Sequence, residues 1–196
     1  QFASYDSQGP FLAIEDQVDE AISYCATNNI NPRAILIHCG TNDIQQFFSV
    51  AASAAAGEYG GWGDYDTAMA KPISFSNTGV VTTDLDKTIT LESLRLELLK
   101  LRYHFPTSKI IFSSPLQRAQ YTRAQMEPLV DDLIRMAGAY GCDVADGFRR
   151  CDIVREFETL GQMGRKLADG LHPYLLTGTI DHGNLIVTTY KTAMNF

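Results

Sequence analysis

The sequence predicts an α/β fold, a three-layer α/β/α sandwich around a mostly parallel central sheet, and three observations carry that reading. Short continuous apolar runs, Ala34-Ile35-Leu36-Ile37-His38-Cys39 and Lys109-Ile110-Ile111-Phe112-Ser113, have the length and β-branched content of strands buried on both faces. Around them lie segments with apolar residues three and four positions apart, the period of an amphipathic helix. Turn-forming residues stand at the strand exits, Gly40-Thr41-Asn42-Asp43 after the first run and Ser113-Ser114-Pro115 after the second. Strands that alternate with helices pack as a parallel sheet covered on both faces.

Each element follows from local pattern. Residues 13–29 place Ile14, Val18, Ala21, Ile22 and Cys25 on one helix face, and Asn28-Asn29 with Asn31-Pro32 end it. The strand over 34–39 comes next. Residues 45–90 are rich in Gly, Ala and aromatics without a lasting period, which predicts a long insertion or surface excursion holding the single tryptophan, Trp62. Leu91, Leu94, Leu98, Leu101 and Phe105 then mark a helix with Thr90 as N-cap and Pro106 as its stop. After the strand at 109–113 the pattern predicts a helix over 125–139, with Gly141 near its end, and a short strand over 142–146. Residues 152–163 read as helix or loop. A final helix is expected to begin after Gly183-Asn184, although Val187-Thr188-Thr189 leaves a strand open. With no internal repeat and no linker, residues 1–196 read as one domain.

Bulk properties exclude several classes. A chain of 196 residues with 45% hydrophobic content can bury one sizeable core. The net charge of -7 and the scattered Lys and Arg argue against binding nucleic acid or an anionic membrane, because phosphate recognition needs clustered cations. No apolar run approaches the roughly 18–20 residues that span a bilayer. No signal peptide is evident, and the start at Gln1 rather than Met reads as a processed product or fragment. Cys25, Cys39, Cys142 and Cys151 form no CxxC pair, so buried free thiols are expected and a structural zinc site is not.

Two short blocks carry chemistry. In Gly40-Thr41-Asn42-Asp43, a glycine lets the chain turn sharply at the strand end, and the Asn42 amide is a neutral donor suited to hold a developing oxyanion. The same residues also make an ordinary turn. In Asp169-Gly170-Leu171-His172-Pro173, a three-residue step lets Asp169 and His172 meet on one side of a loop, so that the carboxylate fixes the imidazole tautomer. The plain alternative is an exposed loop pair. Asp181-His182 is a rival pair, but adjacent side chains diverge more readily.

Taken in order, strand, GTND, helix, strand, helix, strand and DGLHP resemble the SGNH hydrolase superfamily, the GDSL-type esterases and lipases, over roughly residues 9–175. That resemblance implies a flavodoxin-like sandwich and a serine esterase. Asn42 would be an oxyanion donor, and Asp169 and His172 the acid–base pair. In the family a GDS block with the nucleophilic Ser comes first, then a Gly whose backbone N–H joins the oxyanion hole. Only QFASYDSQGPF precedes the first predicted helix. Either Tyr5-Asp6-Ser7 is a degenerate GDS with Ser7 as nucleophile, or Gly9 is the oxyanion glycine. About 30 residues separate Gly9 from Gly40, room for one loop, one helix and one strand. A further helix of about 11 residues and strand of about 5 do not fit, which favours Gly9.

The expectation is therefore that the first strand is lacking and that the nucleophilic Ser comes from an upstream cleaved segment or a second chain, which also completes the sheet. The implied reaction removes acyl groups, acetyl foremost, from a carbohydrate or other ester, with no metal or organic cofactor. Tyr59, Trp62 and Tyr65 offer a sugar-stacking surface, or an ordinary loop. The alternative from a different class is an inactive SGNH-fold structural or binding module. The expected setting is soluble, extracellular or within a viral particle.

Overall fold

In a computed structural model, the residues described are 14–53, 61–76, 81–155, 158, 166–167 and 178–195. They form an α/β/α sandwich. The chain runs α1 (Ile14–Thr27), β1 (Ala34–His38), α2 (Thr41–Ser53), α3 (Tyr65–Ala70), β2 (Ile73–Phe75), β3 (Val81–Thr83), α4 (Thr90–His104), β4 (Lys109–Ser113), α5 (Arg123–Ala139), β5 (Asp143–Ala145), α6 (Gly147–Arg150) and α7 (Gly178–Met194). The central sheet is parallel, ordered β1-β4-β5, with Ile37 opposite Phe112 and Phe112 opposite Val144.

Alternation along the strands divides the core between two faces. Ile37, Ile110 and Phe112 point to one face and pack with α1, α4 and α5 through Val18, Leu94, Leu98, Met126 and Leu133. Ile111 and Ala145 point to the other and meet Leu185, Ile186 and Tyr190 of α7. Helix α4 is buried almost all round, from Thr90 to Leu101, because α1, α3 and α5 enclose it against the sheet. Two of the buried polar residues on α4, Glu92 and Arg95, are tied to the segment before it and to α5. Glu92 pairs with Lys71 and accepts from the Asp86 N–H, while Arg95 donates to the Lys71 carbonyl at 2.9 Å and to Tyr140 Oη at 2.8 Å.

Three local expectations shift. Thr90 is the first helical residue of α4 and not its cap; Ile89 holds the cap position without a side-chain bond. Helix α5 starts at Arg123, where Thr122 and Gln125 form a reciprocal capping box. Helix α7 starts at Gly178 and runs straight through Gly183-Asn184. An interior glycine costs about 1 kcal/mol, less than the burial of Leu185 against the sheet returns.

The described residues of the stretch 45–90 also hold more regular structure than their composition predicts. They include the rest of α2, the Asp64-capped α3 and the β2–β3 hairpin, and they are tied to α4 by the Glu92 and Arg95 bonds. Elements of three to six residues are too short to show a period. The four cysteines are free thiols, and burial pushes those of Cys142 and Cys151 up to about 11. Among the described residues, no helix is long and apolar enough to cross a membrane.

Candidate active site

The carboxyl ends of β1 and β4 converge on one edge of the sheet, the position where open α/β sheets bind ligands. Gly40 joins β1 to α2 with φ of 95°, a left-handed conformation that disfavours any side chain. Its carbonyl accepts the Ile44 N–H at 3.0 Å, so the helix begins at once. Ile44 and Asp43 then point inward and are fully buried, which leaves Asn42 on the outer side of the first turn, exposed. Asn42 is thus exposed on the first turn of α2, just beyond the carboxyl end of β1.

That turn is fastened from behind by Arg118. The exit loop of β4 carries this guanidinium into the interior, where it is the largest fully buried side chain. Arg118 donates to the Thr41 carbonyl at 2.9 Å, to Gln45 Oε1 at 3.0 Å and to Gln120 Oε1 at 2.9 Å. Sequence reading passed over Arg118; the signal was an arginine inside the otherwise apolar exit of a buried strand. Replacing it by leucine is expected to remove its bonds to Thr41, Gln45 and Gln120 and to destabilise the protein by about 1–3 kcal/mol. Urea denaturation measures this, and no change in midpoint would contradict the role assigned to Arg118.

The same loop is held on its other side. Ser114 Oγ donates to Asp146 Oδ1 at 3.2 Å and accepts the Phe148 N–H at 3.2 Å, while Asp146 caps α6 by accepting the Arg149 N–H. On the α7 face, Ser113 Oγ is hydrogen-bonded to His182 Nε2 at 2.7 Å and to His38 Nδ1 at 3.2 Å. His38 sits in a recess, open to solvent on one side and crowded by protein on the others. Burial first, and the charge that His182 would carry second, push its pKa down to about 4, against the opposing bond to Ser113. Burial also lowers the pKa of His182. The Asp181-His182 pair is split as expected, for Asp181 turns to Lys166 while His182 turns inward.

Among the described residues β1 pairs only with β4, and Leu36 is 50% exposed although it belongs to an apolar strand. A groove of about 380 Å³ runs along this edge, lined by Val18, Ala21, Ile35, Leu36, Ile37 and His38 among others.

Trp62 does not offer a stacking face. It is 5% exposed, donates to Asp132 Oδ2 at 3.3 Å and takes the edge of Phe47. Tyr65 is half-buried under the Arg135 guanidinium, 3.6 Å from the ring centroid. Ser7, Gly9, Tyr59, Asp169 and His172 lie outside the described residues. No group of three or more His, Cys, Asp or Glu among the described residues is arranged to hold a metal ion.

Comparison of the fold with solved structures finds a protein described as a GDSL-like lipase from Parabacteroides merdae. The TM-score is 0.50 at 14% identity, covering 91% of this chain and 68% of the other. The fold is GDSL-like. LAE5, an α/β hydrolase enzyme from the metagenome of Lake Arreo in Spain, aligns with a TM-score of 0.48 at 17% identity, covering 91% of this chain and 67% of its own. No family model matches the sequence, and no curated protein does.

Proposed function

We propose that the chain carries the oxyanion and acid–base parts of an SGNH-type serine ester hydrolase. One observation supports this most: a strand exit at positive φ leads directly into a helix whose first turn exposes Asn42 at the carboxyl end of β1 in a GDSL-like fold. In this reading a serine Oγ attacks the ester carbonyl while His172 takes its proton. Asp169 holds the imidazole in the required tautomer. The tetrahedral oxyanion accepts hydrogen bonds from the Asn42 amide and the Gly9 N–H. As the carbonyl re-forms, His172 returns the proton to the departing alcohol. Water then repeats the sequence on the acyl-enzyme and releases the acid.

The nucleophile is assigned to a strand that lies outside residues 1–196 and pairs with the free edge of β1, supplied by a cleaved segment or a second chain. The half-exposed Leu36 and the adjoining apolar groove support this placement, because among the described residues β1 pairs only with β4 and an apolar edge without a partner is a template for a further strand. The substrate class follows from the resemblance: a small acyl group, acetyl, on a carbohydrate or other ester.

Hydrolysis of p-nitrophenyl acetate by the full-length protein tests the reading. Turnover that a serine-directed fluorophosphonate abolishes is the expected result. Absence of both turnover and labelling in the full-length protein would overturn it in favour of a binding or structural module.

A further inference from the structure

Two hydrogen bonds link three elements beneath the candidate site. Ser113, at the end of β4, is bonded to His182 in α7 and to His38 at the end of β1. The two imidazoles lie close, with ring centroids 4.8 Å apart and planes inclined by 59°. Space for α7 to come this near is made at Gly147. A Cβ there would meet Leu116 Cδ2 at 2.8 Å and the Ser114 carbonyl at 3.2 Å, with His182 Cδ2 at 3.6 Å. Ser113 has no exposed surface, so it positions and does not touch substrate.

We propose that His38, Ser113 and His182 form a proton-sensitive latch that fastens the start of α7 to the carboxyl ends of β1 and β4. The Gly40–Asn42 turn follows His38 by two residues, and the coupling of the latch to catalysis rests on the esterase reading of Asn42. A hydroxyl has one proton. Ser113 therefore donates to one imidazole, which must be neutral to accept, and accepts the N–H of the other. Protonating the accepting ring turns both into donors on one oxygen. A second proton places two like charges side by side in a crowded site.

The charged side chains nearest the latch on α7 and before α6 already have partners. On α7, Asp181 is engaged by Lys166, which also reaches Asp152 at 3.7 Å. Before α6, Asp146 is bound by Arg149 at 3.1 Å. On β1 the Cys39 thiol is buried and pushed well up, so it stays uncharged. Asp43 is buried in α2. Because His38 is held below the ordinary histidine value of about 6.5, its contribution to stability is complete above that pH and is lost as pH falls to about 4. His182 shifts in the same direction.

Amide hydrogen exchange on the full-length protein, read as protection factors between pH 7 and pH 4, tests the latch. Protection in the opening turns of α7, around residues 181–186, is expected to fall by about tenfold or more as pH drops, while α5 amides around Val130 and Leu133 hold. In His182→Gln, whose side chain cannot charge, the pH-dependent part should shrink. In Ser113→Ala, protection should be low throughout the range. An identical pH profile in wild type and His182→Gln, or full protection in Ser113→Ala, would overturn the latch. The kcat for p-nitrophenyl acetate supplies the second arm. An extra acid step in wild type that is absent from His38→Gln/His182→Gln supports coupling to the site, and pH-dependent exchange without it overturns that coupling. Turnover absent at every pH, with exchange as expected, would sink the esterase reading and leave the latch standing.

Discussion

Replacing His172 by alanine is expected to lower kcat for p-nitrophenyl acetate by roughly four to six orders of magnitude, with the melting temperature little changed. The size of the effect follows from the proposed chemistry. A serine hydroxyl is a poor nucleophile at neutral pH, and the base that takes its proton also protonates the leaving alcohol, so one imidazole serves both halves of the reaction. Residual turnover would come from the oxyanion donors and substrate binding alone. Steady-state kinetics on the full-length protein measures the loss. A drop below tenfold would show that His172 is not the base and would return attention to the loop alternative for Asp169-Gly170-Leu171-His172-Pro173.

Asn42→Ala should cost about a hundred- to a thousandfold in kcat with KM nearly constant, corresponding to roughly 2.7–4 kcal/mol of transition-state stabilisation. The separation of kcat from KM matters here. An oxyanion donor acts on charge that exists only in the tetrahedral state, so ground-state binding is spared. Asn42 is exposed on a turn whose fixings lie elsewhere, in the Gly40 conformation and the Arg118 bond to Thr41. Its removal should therefore leave stability within about 0.5 kcal/mol. Asn42→Asp should be at least as damaging, because a carboxylate repels the oxyanion. An Asn42→Ala variant with unchanged kcat would contradict the assignment, and one with raised KM alone would make Asn42 a substrate-binding group.

The layered fold was legible because its long elements repeat their signal. Leu91, Leu94, Leu98 and Leu101 mark α4 plainly, and the apolar runs at 34–39 and 109–113 mark two buried parallel strands. Stretch 45–90 was not legible, since α3 and the β2–β3 hairpin are too short for a period and are stabilised by contacts with α4 that lie far off in sequence. The start of α7 was misplaced because Gly183-Asn184 reads locally as a boundary, whereas packing of Leu185 and Tyr190 on the sheet keeps the helix continuous. At the candidate site, Asn42 was singled out because Gly40-Thr41-Asn42-Asp43 is a local block. Arg118 and the His38–Ser113–His182 chain could not be, because each joins residues about 70 positions apart and has no local pattern. Trp62 misled for a related reason. A lone tryptophan between glycines looks exposed, but Asp132 and Phe47 draw it inside.

The apolar edge of β1 gives the account its most exposed claim, that the nucleophile belongs to a strand outside residues 1–196. The direct measurement is fluorophosphonate labelling of the full-length protein, followed by proteolysis and mass-spectrometric mapping of the adduct. The account predicts a single labelled serine in a segment outside these 196 residues, at the end of an apolar strand, with labelling lost in His172→Ala. An adduct on Ser7 would contradict it by placing the nucleophile within this chain.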